Sequence, residues 1–267
     1  MPYVAALHVH PIKSCRGHAV DEAALDRFGL AGDRRFLIVD ERGQFLTQRT
    51  RPKLALIEPL VRADTLALNA PGVSSLRIAA APPPGSPSIQ VVVWRDTVAA
   101  VDLGPEAADW LSDYLESPVR LVAMPPEFSR PIRKPTAYPG DETAFADAFP
   151  LLVLSEASLA DLNDRLDEPL PMDRFRPNLV VRDCPAFAED SWRRIRIGDV
   201  VLRAAGPCAR CVVTTTDQRT LERGKEPLRT LAQYRRSADG DVDFGQNYIH
   251  ESKSGVLRVG MSVEMLD

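Results

Sequence analysis

Cys208-Ala209-Arg210-Cys211 places two thiols three positions apart. Such a pair can share a structural metal, form a redox dithiol, or offer one thiolate to a soft metal. A structural zinc takes four ligands. The other cysteines, Cys15 and Cys184, are distant and unpaired, and the histidines are isolated, so no zinc set is visible. A thioredoxin-like dithiol needs a helix N-terminus to lower a thiol pKa. The run after Cys211, Val212-Val213-Thr214-Thr215-Thr216, is β-branched throughout and predicts a strand instead. One thiolate on a metal such as molybdenum, with Arg210 beside it and Cys208 in support, suits a rigid strand end. Two ordinary buried cysteines fit the spacing equally well.

Cations gather at loop–strand junctions. Lys13 lies in Pro11-Ile12-Lys13-Ser14, Arg34-Arg35 follows Gly32-Asp33, and Arg174-Phe175-Arg176-Pro177-Asn178 precedes an apolar run. Together they can grip a phosphate, lysine as a point charge and arginine as a fork. Taken singly, each also reads as an ordinary surface charge. No Walker loop or GxGxxG is present, so a nucleotide-type glycine loop is excluded. Near the C-terminus, Asp243-Phe244-Gly245-Gln246-Asn247 is a polar turn whose amides donate and accept, as a heterocycle edge requires.

The elements that must hold these groups are mostly short strands. Apolar runs predict strands over 4–9, 35–39, 91–94 and 98–101, the last two as a hairpin. Pro105 opens a helix over 105–115, with Ala107, Trp110, Leu111 and Tyr114 on one face. The proline-rich 79–87 stretch reads as a surface loop. A second proline-rich segment, 124–147, reads as a connection or lid between two domains, 1–123 and 124–267. A buried strand over 151–154 then leads into a helix capped by Ser155, with Leu159, Leu162 and Leu166 at helical spacing. Further strands are predicted over 179–182, 194–197, 200–204, 212–216 and 262–265, and a helix over 227–236. This pattern predicts a mainly β (α+β) fold of barrel-like domains with a few helices, rather than a doubly wound sheet.

Length and charge bound the function. The chain has 267 residues, enough for two domains. Its net charge is −4, which gives no overall nucleic-acid footprint, so any anion site is local. No signal peptide is visible, and no apolar run reaches the ~18–20 residues of a membrane helix. A cytoplasmic protein without membrane or nucleic-acid partners is the expectation, and the few scattered cysteines predict no disulfide framework.

Several further segments, in order, complete the pattern: Lys13-Ser14-Cys15, Gly32-Asp33-Arg34-Arg35-Phe36, Leu154-Ser155-Glu156-Ala157-Ser158-Leu159, Phe175-Arg176-Pro177-Asn178, Glu189-Asp190-Ser191-Trp192, Cys208-Ala209-Arg210-Cys211 with Thr214-Thr215, Lys225-Glu226-Pro227-Leu228 and Phe244-Gly245-Gln246-Asn247. On these the chain resembles the MOSC (molybdenum cofactor sulfurase C-terminal) proteins that also carry a MOSC N-terminal β-barrel. Within them it is most similar to bacterial reductases of N-hydroxylated compounds and the mitochondrial amidoxime-reducing components. The resemblance implies a molybdenum cofactor (Mo-molybdopterin) between the two domains, with Cys211 as metal ligand and Cys208 in support. It carries cofactor contacts onto Lys13, Ser14, Arg35, Asp147, Ala148, Phe149, Arg176, Asn178, Ala209, Arg210 and Asn247. In eukaryotic relatives hydroxyl side chains stand at the positions of Ala148 and Phe149, and a tyrosine at that of Asn247, so contacts there fall to backbone groups. The implied activity is reduction of a small N-hydroxylated substrate (hydroxylamine, amidoxime or N-hydroxylated base) to an amine. No cysteine follows Cys211, so no iron–sulfur cluster is expected downstream. A separate ferredoxin- or flavoprotein-type donor is therefore implied. The competing reading is a cofactor carrier or sulfur-transfer protein with a persulfide on Cys211.

Overall fold

An eight-stranded sheet positions most of the groups above. The structure, a computed structural model, describes residues 1–266. The strands run in the order Glu264–Met265, Arg194–Ile197, Val200–Ala209, Asp243–His250, Leu151–Ser155, Leu179–Arg182, Tyr3–Val9 and His18–Val20. One pairing is parallel, Leu151–Ser155 with Leu179–Arg182. A parallel pair needs a crossover, and the Glu156–Asn163 helix lies within it. Ser155 caps that helix as expected, its Oγ accepting from Ser158 N at 3.0 Å. Buried Glu189 braces the cap, accepting from Ser155 N at 3.0 Å and from Ser158 Oγ at 2.7 Å.

The first strand and the residues around Leu25 belong physically to this sheet's core. Val4, Leu7, Val9, Leu25 and Leu30 pack with Leu151, Val153, Ile195, Leu202 and Tyr248. Each fully buried aliphatic side chain contributes roughly 1.5–3 kcal/mol. A second core lies under the Pro105–Leu115 helix, whose Ala107, Leu111 and Tyr114 are buried while Trp110 packs at the margin. It joins a four-stranded sheet (Phe36–Asp40, Val119–Ala123, Asp96–Asp102, Ser88–Val93) to a three-stranded one (Glu58–Arg62, Thr65–Asn69, Leu76–Ala79). The fold is mainly β with a few short helices, as the pattern predicted.

The connection over 124–147 is fastened along its length. Arg130, 3 % exposed, donates to Asp96 Oδ2 at 2.9 Å and to the carbonyls of Ala144 and Ala146 at 2.9 and 2.6 Å. Asp141 accepts from Arg203 at 2.6 Å and from Lys253 at 2.9 Å.

Four local expectations fail. Asp243–Asn247 is not a turn but the start of the strand Asp243–His250, paired on both sides. Residues 212–216 are not a strand: Val212–Thr215 forms a 3-10 turn. Thr214 Oγ1 bonds Cys211 O at 3.0 Å and Thr215 Oγ1 bonds Val212 O at 2.9 Å, so hydroxyls outweigh the β-branched preference. The helix expected over 227–236 is regular only at Leu228–Leu231, because the chain turns back to bridge Arg236 with Val242. The last strand shrinks to Glu264–Met265. Among the described residues no helix is long and apolar enough to cross a membrane.

Candidate active site

The end of the Val200–Ala209 strand leaves its sheet through two irregularities. Register against Asp243–His250 shifts between Ala204 and Gly206 and again between Pro207 and Ala209. Bulges bend a strand and re-aim its side chains. Here they bring Cys208, Ala209, Arg210 and Cys211 onto a cleft of about 350 Å³. The Cys211 backbone is held there, since its carbonyl accepts both Thr214 N (3.1 Å) and Thr214 Oγ1 (3.0 Å).

Residues from the whole chain meet at this cleft. Lys13, Ser14, Asp147, Ala148, Phe149, Arg176, Asn178, Ala209, Arg210, Cys211 and Asn247 all line it. Arg35 does not. Its guanidinium donates to both Asp26 oxygens, at 2.7 and 2.8 Å, and to Leu30 O at 3.1 Å. Arg34 lines the cleft in its place and donates to Asn178 Oδ1 at 3.2 Å. The cause is backbone: Arg34 has a φ of 52°, and this left-handed residue sends its own side chain and its neighbour's in different directions. Sequence reasoning also passed over Arg49, Lys134 and Thr47-Gln48, which lie on loops without a motif.

Charge distinguishes the cleft. Seven cations line it (Lys13, Arg34, Arg49, Lys134, Arg174, Arg176, Arg210) against one carboxylate, Asp147, in a chain of net charge −4. Lys13 pairs with Asp147, which also accepts from Trp94 Nε1 at 3.1 Å. Burial pushes Lys13 down to about 8 against the pull of Asp147. Desolvation would raise Asp147, but the Lys13 ammonium and Trp94 outweigh it and hold the carboxyl well below its usual range. The Arg176 side chain makes no hydrogen bond or ion pair among the described residues, and burial with neighbouring Arg34 lowers it to about 10. Arg210 donates to Phe244 O at 2.7 Å and Phe175 O at 2.9 Å, while its buried Nη2 has no partner. These are unmet positive donors, and an anionic ligand would satisfy them.

Backbone strain concentrates here. Ser14, Arg34, Trp94 and Arg176 have φ of 68°, 52°, 59° and 55°, a region that costs a non-glycine residue about 1–2 kcal/mol. Such outliers cluster at functional sites. Gly245, at φ 79°, explains its own motif: an added Cβ would stand 2.9 Å from Val153 O and 3.3 Å from Arg210 Nη2. Asn178 is 1 % exposed and committed to the protein, accepting from Leu152 N and donating to His8 O, both at 3.2 Å.

The thiols divide by environment. Cys15 is fully buried off the cleft, and burial pushes it up to about 12. Burial also raises Cys208, against the opposing charge of Arg210. No group of three or more His, Cys, Asp or Glu among the described residues is arranged to hold a metal. Zinc thus finds no ligand set, and any metal at Cys211 would need most of its ligands from a bound cofactor.

A mainly β fold holding a cationic, thiol-bearing cleft is the arrangement of a known class. Residues 1–118 match the MOSC N-terminal beta barrel domain and residues 140–264 the MOSC domain. The chain belongs to the MOSC family, in the form with both domains. Mitochondrial amidoxime-reducing component 1 of Mus musculus is 39 % identical to it, over 98 % of this chain and 82 % of that protein. The component 1 proteins of Homo sapiens and Danio rerio are 37 % and 39 % identical, over 98 % and 97 % of this chain and 82 % and 83 % of theirs.

Proposed function

We propose that this protein is a molybdenum-cofactor-dependent reductase that converts N-hydroxylated compounds to amines, with the cofactor held between residues 1–123 and 124–267. The observation that carries the reading is the cleft itself, with seven cations against one carboxylate and a backbone-locked cysteine, in a chain 39 % identical to an amidoxime-reducing component. The unpartnered Arg210 Nη2 and Arg176 fit a cofactor that is both anionic and rich in acceptors.

Cys211 would supply the protein's thiolate to the metal. Lys13, Arg34, Arg176 and Arg210 would hold the cofactor's anionic and acceptor groups. Ser14, Ala148, Phe149, Ala209 and Asn247 shape the walls, several through backbone groups. Asp147 and Trp94 steady Lys13 and mark the rim. When bound, the cofactor supplies the two-electron step, and the protein supplies orientation and electrostatics. Overall, the N–O bond breaks and two electrons and two protons yield an amine and water. The electrons come from a separate ferredoxin- or flavoprotein-type donor. The protein acts in solution in the cytoplasm.

The test is metal and pterin content, with turnover of a model amidoxime by a chemical reductant, for protein made in a cofactor-competent host. Near one molybdenum per chain with turnover is expected; metal without turnover points to a carrier. Cys211→Ala should lose metal and activity, whereas Cys208→Ser keeps most of the metal. Retention of both by Cys211→Ala overturns the ligand assignment.

A further inference from the structure

We propose that a second cavity, sharing Arg176 with the cleft, binds a doubly charged oxyanion of the phosphate or phosphomonoester class. The cavity has a volume of about 210 Å³. That is below the ~300 Å³ at which pockets take drug-sized ligands, so its occupant is an ion or a small ester.

Its walls carry Arg16, Arg176 and Arg219 against one carboxylate, Asp173. Arg16 is engaged already, with Glu58 and with Gln218 O at 2.5 Å. Arg176 and Arg219 are not: neither side chain makes a hydrogen bond or ion pair among the described residues. Two imidazoles join them. His8 and His10 lie two residues apart and so leave the strand direction on one side, while Val9 between them is buried in the sheet core. His10 is 4 % exposed, with Nδ1 3.6 Å from Asp33, beyond hydrogen-bond reach. His8 Nδ1 is likewise buried without a partner. Burial keeps both imidazoles neutral near pH 7, with Arg176 and Arg34 reinforcing this at His10. The His10 N–H is drawn toward Asp33, whereas His8 can give one N–H. Two guanidinium forks and a neutral donor around one small space match a dianion, which can accept from all of them.

This site goes beyond the proposed reductase chemistry but shares Arg176 with the cleft proposed to hold the cofactor. Calorimetric titration of the full-length, cofactor-loaded protein with inorganic phosphate tests it. Saturable binding of one phosphate per chain is expected. Arg219 is exposed and lines this cavity but not the cleft. Arg219→Ala should therefore weaken phosphate about tenfold, the loss of one charge-assisted contact, at unchanged molybdenum content. Arg219→Glu should abolish binding, and Lys134→Ala, on the cleft alone, should leave the phosphate isotherm as it is. Absence of saturable binding overturns the proposal, as does binding indifferent to both Arg219 substitutions. So does binding confined to cofactor-free protein, or loss of molybdenum in step with phosphate, because the cavity would then belong to the cofactor. Metal content and turnover are separate readouts, so failure of the reductase reading is recognisable on its own.

Discussion

A lysine with a pKa near 8 at the proposed phosphate site makes cofactor binding depend on pH. Lys13 is charged below about 8 and neutral above it. Cofactor retention should therefore fall as pH rises through about 8, by at most about tenfold per pH unit for one proton. Lys13→Arg keeps its charge and should flatten the profile. Molybdenum retained after dialysis from about pH 7 to about pH 10 measures both, and identical profiles would remove Lys13 from the phosphate. At this scale motifs picked out Lys13, Arg176, Arg210 and Cys211, which the fold brings to one cleft, because chemistry constrains residue type. They did not separate Arg34 from Arg35. Two adjacent arginines look alike in sequence, and only the left-handed backbone at Arg34 decides which one enters the cleft.

Among the elements, the 124–147 segment is fastened in part by a single buried arginine. Arg130 spans it, joining Asp96 to the Ala144 and Ala146 carbonyls just before Asp147. Removing a buried charged partner costs about 3–5 kcal/mol, so Arg130→Ala should lower the melting temperature and open residues 124–147 to protease. Arg133 meets the same Asp96 at 3.9 Å but is 80 % exposed. Its alanine variant should stay within about 0.5 kcal/mol of the parent. Equal losses in the two variants would mean that the clamp is not local to Arg130. Composition identified this segment as a connection, since prolines exclude regular structure. The clamp was not legible, because nothing near Arg130 in sequence names carbonyls more than ten residues away. Residues 212–216 misled for a similar reason. Propensity counts the β-branched side chains of Thr214 and Thr215 but not the backbone oxygens their hydroxyls reach.

At the scale of the whole molecule, apolar periodicity disclosed about half of the strands and not which strands meet. Tyr3–Val9 pairs with Leu179–Arg182, and Glu22–Asp26 pairs with Gly255–Arg258. A fragment comprising residues 124–267 lacks Val4, Leu7, Val9 and Leu25 from its core. It should show no cooperative melting, whereas the intact chain melts in one transition by calorimetry. A separate, reversible transition in that fragment would show that it folds without the first strand. The same pairing has a consequence during synthesis. Tyr3 and Arg182 are partners, yet at ~5–20 residues per second roughly 10–35 s pass before the ribosome delivers the second after the first. Through that interval the nascent strand has only the short His18–Val20 strand beside it, and its other edge stays open, a natural target for chaperones until residue 182 emerges and the sheet can close around it.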